Sequence, residues 1–589
     1  MSKPLNFYTQ QLIEFEKQSL KLKNKLFIIR ILRFLVFSIS FLSLYLTFGN
    51  YLNTFIVAFL GLFIFSFLVF KYIKIQKDKF IIDKKISNNK KEIKIIKRDF
   101  HHLDSGQEFL KNNHFYSKDI DMFGIGSFFQ YINRTTTLDG KKLLANLLTE
   151  NNTGEILNKQ NAVKELSKKV EWRQHFSALA SLVTVKNKSA FTTRWILSYD
   201  AVLPKYLKTI QILFSIISLT LILLISLGYL YFNFIVIWFF IGLFITVRYL
   251  KKTNKLYKET DNIRETFRQY HQLLNEIENE NFVSKDLKEH QKTIQSEHKK
   301  ASIIFKEFSK ILDAFDNRNN IIVSVLGNGF FLWEISNACN VENWIAKYKH
   351  LVEKWFKVVA YFDCQNSMAN FYFNHPDFVF PVLSESNVVL NAKNLGHPLL
   401  PVNKRIDNDF TILNEQFFII TGANMAGKST FLRTVSLSIV LANCGLPVCA
   451  ESFYYSPIKL ITSMRTTDSL TEDESYFYSE LKRLKLIVEN IKDEKYFIIL
   501  DEILKGTNSK DKAIGSKQFI EKLTKSKSIG IIATHDVSLC KLENEFSTIK
   551  NYYFDAEIVN NELFFDYKLK EGVCKNMNAS FLLKKMGII

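Results

Sequence analysis

Residues Thr421 to Thr430 read "TGANMAGKST". Gly422, Gly427, Lys428 and Ser429 fit the pattern G-x-x-x-x-G-K-[ST], with Thr430 following. Glycines at those spacings let backbone N–H groups turn inward around phosphate oxygens. A lysine there reaches the β- and γ-phosphates, and the serine hydroxyl is placed for Mg²⁺. Two carboxylates, Asp501 and Glu502, end the apolar run "YFIILDE" about seventy residues later. Asp501 is suited to the Mg²⁺ shell opposite Ser429, and Glu502 to polarising an attacking water as general base. A third run, "IGIIATH", ends in His535, placed to contact the γ-phosphate or that water. The chemistry implied is ATP hydrolysis with Mg²⁺.

These residues need strands behind them. Phe417 to Thr421, Tyr496 to Leu500 and Ile529 to Ala533 are short, β-rich apolar runs. "STFLRTVSLSIVLANC" after the loop reads as a helix whose N-terminus adds its dipole to the phosphate site. Strands alternating with helices after Pro381 and Pro398 give an α/β pattern. Upstream the texture is helical. Residues 72–205 read as mostly helix, and 316–380 carry more apolar helix. The mixed-charge stretch 249–315 reads as a solvated helix or coiled-coil arm.

Two runs carry no charged residue, Phe34 to Phe70 and Thr209 to Val247. One helix of that length would reach about 55 Å, against a hydrocarbon core of about 30 Å. Each run should therefore fold back, at Gly49–Asn53 and at Gly228–Asn233. Four spans are expected, near 30–48, 54–71, 209–228 and 232–248. Lys25, Arg30 and Arg33 precede the first hairpin and Lys71, Lys74, Lys77 and Lys79 follow it. Lys205 and Lys208 precede the second, and Arg248, Lys251 and Lys252 follow it. The turns are uncharged, so the positive-inside bias puts both turns outside and the rest in the cytoplasm. The alternative is a buried helical hairpin, but core helices seldom run so far without a charge. The polar lead before Leu26 is long and no small-residue cleavage site follows, which argues against a cleaved signal peptide.

Composition narrows the class. The chain has 589 residues, with 78 Lys+Arg against 58 Asp+Glu and a formal net charge of +20. Such an excess suits polyanions such as nucleic acid, nucleotide or anionic lipid. The six cysteines form no C-x-x-C pair, which argues against a disulfide scaffold or zinc finger and for a reducing compartment.

The motifs together resemble the MutS family of DNA mismatch repair ATPases. The loop holds the Asn424–Met425 pair that this family places within its Walker A. "LDEILKGTNSKD" resembles its Walker B and D-loop, and "ATH" its histidine switch. Asp468 to Leu470, Ser475, Phe477 and Glu480 resemble the stretch that reaches a partner's nucleotide. "LGHPLL" resembles the entry to the ATPase domain, and the segment from Tyr567 to Ile588 its close. A looser likeness to the family's helical core covers about 105–205 and 251–385. There are departures. The first hundred residues hold no Phe-X-Glu mismatch-reading motif, Asp473 and Glu474 replace a Gly and an Arg, and Leu504 stands where the family has Gly.

The resemblance implies an α/β P-loop ATPase domain of ABC/MutS type following an all-α core or lever region, which the two charge-free runs interrupt with transmembrane hairpins. The divisions are an amphipathic helix at 1–25, a hairpin at 26–71, core at 72–205, a second hairpin at 206–250, lever at 251–385 and ATPase domain at 386–589. It also implies a face-to-face homodimer. Gly422, Asn424, Met425, Gly427, Lys428, Ser429, Thr430 and Asp501 would hold ATP and Mg²⁺ in one subunit. Ser475, Asn508 and Ser509 would come from the other. Two functions then compete: a membrane-anchored ATPase acting on DNA, or an ATP-driven dimer switch at the membrane. Transport is disfavoured. Only 47 positions separate Lys428 from Ser475, little room for the subdomain that ABC transporters insert there.

Overall fold

The computed structural model describes residues 3–182, 189–295, 299–384, 387–465, 476–559 and 562–574. The chain divides into two compact units. The first holds Met1–Ile93, Thr135–Lys141 and Lys169–Cys364; the second holds Lys94–Arg134, Lys142–Lys168 and Gln365–Ile589.

The first unit is helical. Helices Lys3–Leu46 and Tyr51–Ile96 turn back on each other between Thr47 and Asn50. Each continues unbroken far past the charge-free run, because neither sequence carries an interior proline. The expected separate amphipathic helix over 1–25 is thus the first half of one longer helix. A Cβ on Gly61 would lie 2.4 Å from Ser40 Oγ, so the two helices pack closely through small residues. Their polar ends are tied by a Ser19 hydroxyl donating to Asp83 (2.6 Å) and a Lys90–Glu16 ion pair (2.8 Å). The second hairpin is Tyr206–Ser226 followed by Asn233–Asn279. Among the described residues, these four helices are each long and apolar enough to cross a membrane. At most 11% of the apolar window in each is buried.

Of the two readings of 249–315, a solvated helix or a coiled-coil arm, the solvated one is overturned. Leu256, Ile263, Phe267, Tyr270, Leu274 and Ile277 are buried, at spacings of three, four and seven. That stripe packs on the helix Ala301–Asp316 and on Trp344 and Phe356 of the helix Trp333–Asn374. Phe308 stacks on Trp344 with ring centroids 3.8 Å apart. The charges between the stripe positions flank it, Arg264 and Arg268 pairing with Asp316 and Asp313 of the opposing helix, so mixed charge concealed a core helix.

The second unit is built on a six-stranded sheet. Its spatial order is Leu569–Glu571, Ile549–Phe554, Phe417–Gly422, Ile529–Ala533, Tyr496–Asp501 and Lys459–Ser463. The last five are mutually parallel, and Leu569–Glu571 is an antiparallel edge. All six residues of Phe417–Gly422 and all five of Ile529–Ala533 are buried, as expected for parallel strands covered on both faces. Phe417, Ile419, Ile498, Leu500 and Ile532 share a core with Leu484, Ile487, Ile520 and Leu523 of two flanking helices. Segments distant in sequence complete this unit. Asn151 pairs with the edge strand through both its amide groups, donating to Leu460 O and accepting from Leu460 N at 2.9 Å each. Asp119 accepts the backbone N–H groups of Met464 (3.2 Å) and Arg465 (3.0 Å). A smaller four-stranded sheet includes Val388–Leu395 and Asn408–Leu413.

Candidate nucleotide site

Parallel strands end at the same edge of a sheet, and ligands bind in the crevice beyond those ends. Here three neighbouring strands end in Gly422, Asp501 and Ala533. Ile420 pairs with Ala533, and Ala533 with Asp501. This register brings the loop after Gly422, the Asp501–Glu502 pair and His535 to one cavity of about 450 Å³.

The loop is shaped by its backbone. Gly422 has φ 144°, and a Cβ there would lie 2.5 Å from Phe554 O on the adjacent strand. Met425 (φ 68°) and Gly427 (φ 106°) are left-handed and flank Ala426, an alternation that turns N–H groups toward a concave, anion-accepting face. The helix Lys428–Asn443 starts directly after Gly427. Lys428 is buried, and its Nζ donates to the carbonyls of Gly422 (2.7 Å) and Ala423 (2.8 Å). Burial lowers its pKa, with Asp501 and Glu502 acting the other way.

Ser429 Oγ donates to Asp501 Oδ2 at 2.7 Å. A hydroxyl and a carboxylate so paired are the oxygen ligands a hard cation such as Mg²⁺ takes. His535 Nε2 donates to Glu502 Oε1 at 2.8 Å and stands 3.4 Å from Lys428 Nζ. The hydrogen bond from His535 holds the Glu502 pKa down at about 2, against the effect of burial, with Lys505 and Lys512 adding to the depression. Glu502 therefore stays ionised, able to accept a proton, throughout the physiological range. Its backbone is left-handed (φ 49°), an uncommon conformation for a side-chain-bearing residue. Such strain persists only where the surroundings enforce it, and Glu502 N donates to Ala533 O at 2.9 Å.

Leu504 is also left-handed, at φ 60°. That conformation is the physical reason a glycine suits this position. The buried carboxylate of Glu480 holds the turn by accepting from Leu504 N (2.6 Å) and Lys505 N (3.0 Å). Glu480 thus clamps its own chain's loop, rather than reaching outward with the stretch in which the sequence places it. Burial raises its pKa.

Gly427, Lys428, Ser429, Thr430, Asn424, Met425, Asp501, Glu502 and His535 all line the cavity. Gly422 opens the loop at the end of its strand. Asn508 and Ser509 do not line it. Asn508 caps the helix Ser509–Lys525 by accepting from Asp511 N (2.8 Å), and both residues are exposed. Ser475 and the Asp468–Leu470 stretch lie outside the described residues. Three lining residues were not among the expected site residues, Ala423, Lys505 and Tyr567. Tyr567 (φ 53°) is set against Gly427, where an added Cβ would meet its ring at 3.1 Å. It opens the segment that resembles the close of the ATPase domain, and the antiparallel edge strand together with Asn408, whose Nδ2 donates to Tyr567 O at 3.0 Å, brings it here.

Comparison with known proteins finds relatives over the part of the chain that holds the site. Residues 418–584 match the family model of MutS domain V. The chain is 32% identical over 241 residues to the DNA mismatch repair protein MutS of Bacteroides fragilis, covering 39% of this chain and 28% of that protein. It is 29% identical over 251 residues to MutS protein homolog 4 of Homo sapiens, covering 41% and 26%. A MutS of Clostridium botulinum is 27% identical over 304 residues, covering 50% and 29%. The chain spans less than a third of the length of these relatives. Its helical first part followed by a mixed α/β unit fits that domain, and kinship with MutS proteins is supported over the part of the chain that holds the site.

Proposed function

We propose that this protein is a membrane-anchored, MutS-like ATPase that binds and hydrolyses ATP as a homodimer and acts on DNA. The observation that carries the reading is the convergence of Lys428, Ser429, Asp501, Glu502 and His535 on one cavity at the carboxyl edge of a parallel sheet. The loop N–H groups and Lys428 would hold the phosphates. Ser429 and Asp501 would hold Mg²⁺, which supplies charge neutralisation at the phosphate oxygens. Glu502, kept ionised and oriented by His535, accepts the proton of the attacking water. Ser475, Asn508 and Ser509 of a second copy would cap the nucleotide; the exposure of Asn508 and Ser509 supports that role.

Membrane anchoring is supported by the four apolar helices and by what they leave uncovered. Phe41, Phe55, Phe63 and Phe244 are each at least 60% exposed, and basic residues flank both hairpins. On this reading both turns face out of the cytoplasmic membrane, and the N-terminus, the helical core outside the hairpins and the second unit are cytoplasmic. DNA is supported by the net charge of +20 and by the mismatch-repair relatives. The second reading, an ATP-driven dimer switch at the membrane without DNA, is favoured by the hairpin occupying the first hundred residues, where no Phe-X-Glu motif occurs.

The test is ATP turnover of the full-length protein in nanodiscs with and without duplex, mismatched and branched DNA. Stimulation by mismatched or branched DNA supports the first reading. Absence of DNA binding at low salt, where phosphate contacts are strongest, sinks it in favour of the switch.

A further inference from the structure

The segment Ile321–Phe331 forms a helix of its own, and the chain carries no charge from Asn319 to Trp333. It ends at Leu332, which is left-handed (φ 48°, ψ 44°), and the next helix departs at 84°. The segment packs on the second hairpin at van der Waals limits. A Cβ on Gly242 would lie 2.3 Å from Gly329 O, and one on Gly329 would lie 2.1 Å from the Phe239 ring. Phe239 and Phe330 rings meet at 5.2 Å.

The C-terminus of a helix leaves its last carbonyls without intrahelical partners, and water ordinarily satisfies them. Here the hairpin satisfies the last two of them. Ser218 Oγ donates to Phe330 O at 2.6 Å, and Gln211 Nε2 donates to Phe331 O at 3.3 Å. Trp238 Nε1 donates in turn to Ser218 Oγ at 2.8 Å. All three donors lie within the charge-free run Thr209–Val247. At the other end, Asn320 Oδ1 accepts from Ile322 N and Val323 N. A polar cluster lies beneath. Arg318 pairs with the buried Glu334 at 3.1 Å and lies over the Tyr257 ring, and Thr253 donates to Glu334. Yet Ile321, Ile322 and Leu326 are 78%, 69% and 51% exposed.

Internal satisfaction of a helix end, close packing through glycines and an uncovered apolar face are together what a bilayer demands of a helix that stops inside it. We propose that Ile321–Phe331 is a re-entrant membrane helix. It enters from the side of the helical unit, rises about 16 Å, half of a hydrocarbon core of about 30 Å, and turns back at Leu332. Lipid acyl chains cover Ile321, Ile322 and Leu326, continuing the apolar face that Phe240 and Phe244 present on the hairpin beside it. The inference rests on the membrane reading above and adds a fifth inserted element to it.

Nitroxide labels at cysteines replacing Leu326, Ile322, Phe244 and Val283 test it in the full-length protein in phosphatidylcholine–phosphatidylglycerol nanodiscs. The six native cysteines are buried. Val283, 77% exposed in the helical unit, reports water, and Phe244 reports the hairpin. Power saturation with oxygen and with a water-soluble nickel chelate should give several-fold higher oxygen than nickel accessibility at Leu326 and Ile322, as at Phe244, and the reverse at Val283. If Leu326 and Ile322 match Val283 while Phe244 remains lipid-like, the re-entrant helix is wrong and the membrane reading stands. Low accessibility to both reagents at Leu326 and Ile322 means that protein, such as a second copy, covers the face, and also overturns the proposal. If Phe244 itself matches Val283, both readings fall together.

Discussion

The strand Phe417–Gly422 and the hairpin helices are both apolar, yet they treat water in opposite ways. Every residue of the strand is buried, whereas at most 11% of each hairpin window is. The strand is six residues long, covered on both faces, and its carboxyl end delivers Gly422 to a cavity. The hairpin helices exceed twenty residues each and leave Phe, Leu and Ile side chains open along much of their length. The difference teaches that hydropathy marks an element as apolar, while length and the partners available decide what its apolar surface meets. A short strand completes a core made by its own unit; a long uncharged helix in this chain finds no such cover.

That contrast can be broken or sharpened by substitution. The largest effect is expected in the catalytic region. Glu502→Gln should lower ATP turnover about 10²–10⁴-fold, the range of general-base loss, while ATP binding is kept. Phe63→Ala in the first hairpin should leave turnover within about twofold. Phosphate release and nucleotide titration measure both, and a comparable loss in the two variants would erase the division of labour.

Stability gives the next contrast. Phe417→Ala removes a fully buried ring from the sheet core and should cost about 3–5 kcal/mol. Phe63→Ala, at 64% exposure, should cost well under 1 kcal/mol in detergent. Thermal unfolding of the solubilised protein compares them, and equal costs would mean the hairpin is a packed core. Phe63→Arg should instead penalise membrane insertion by about 2.5–3.5 kcal/mol, read as a smaller carbonate-resistant fraction; an unchanged fraction would count against a lipid-facing Phe63.

The smallest effect lies in pH. Asp363, in the helical unit, is wholly buried and accepts hydrogen bonds from Thr136 and Thr137, and desolvation raises its pKa to about 6. Its folded state therefore binds a proton more readily than its unfolded state. Its contribution to stability is present below about pH 4 and lost as pH rises through 6. Asp363→Asn lacks this loss, so its unfolding free energy relative to wild type should improve from pH 4.5 to 6.5 by an amount on the order of 1–3 kcal/mol, read from thermal unfolding at each pH. Glu502 runs the other way. Its depressed pKa gives stability present above about pH 4.5 and lost as pH falls toward 2. A flat difference between wild type and Asp363→Asn would remove the first half of this contrast.

The sequence by itself placed an apolar strand before Gly422, a helix after Lys428, and carboxylates and a histidine at two further strand ends. Those features follow from local rules: phosphate loops need glycine and lysine at fixed spacing, and uncharged runs of 37 residues or more must fold back. What only the tertiary structure decided depends on contacts between distant residues. Tyr567 faces Gly427 because an antiparallel strand at the sheet edge carries it there. Glu480 clamps Leu504 because two segments twenty-four residues apart converge, and the left-handed backbone at Leu504 is visible only once the turn is built. The stripe from Leu256 to Ile277 was present in the sequence at helical spacing, but its charged neighbours masked it until Phe305, Phe308 and Trp344 supplied the opposing face. Ile321–Phe331 read as one more apolar helix. Its end at Leu332, with carbonyls satisfied by Gln211 and Ser218 more than one hundred residues earlier, lay beyond any local rule, because hydrogen-bond satisfaction of a helix terminus is a property of whatever packs against it.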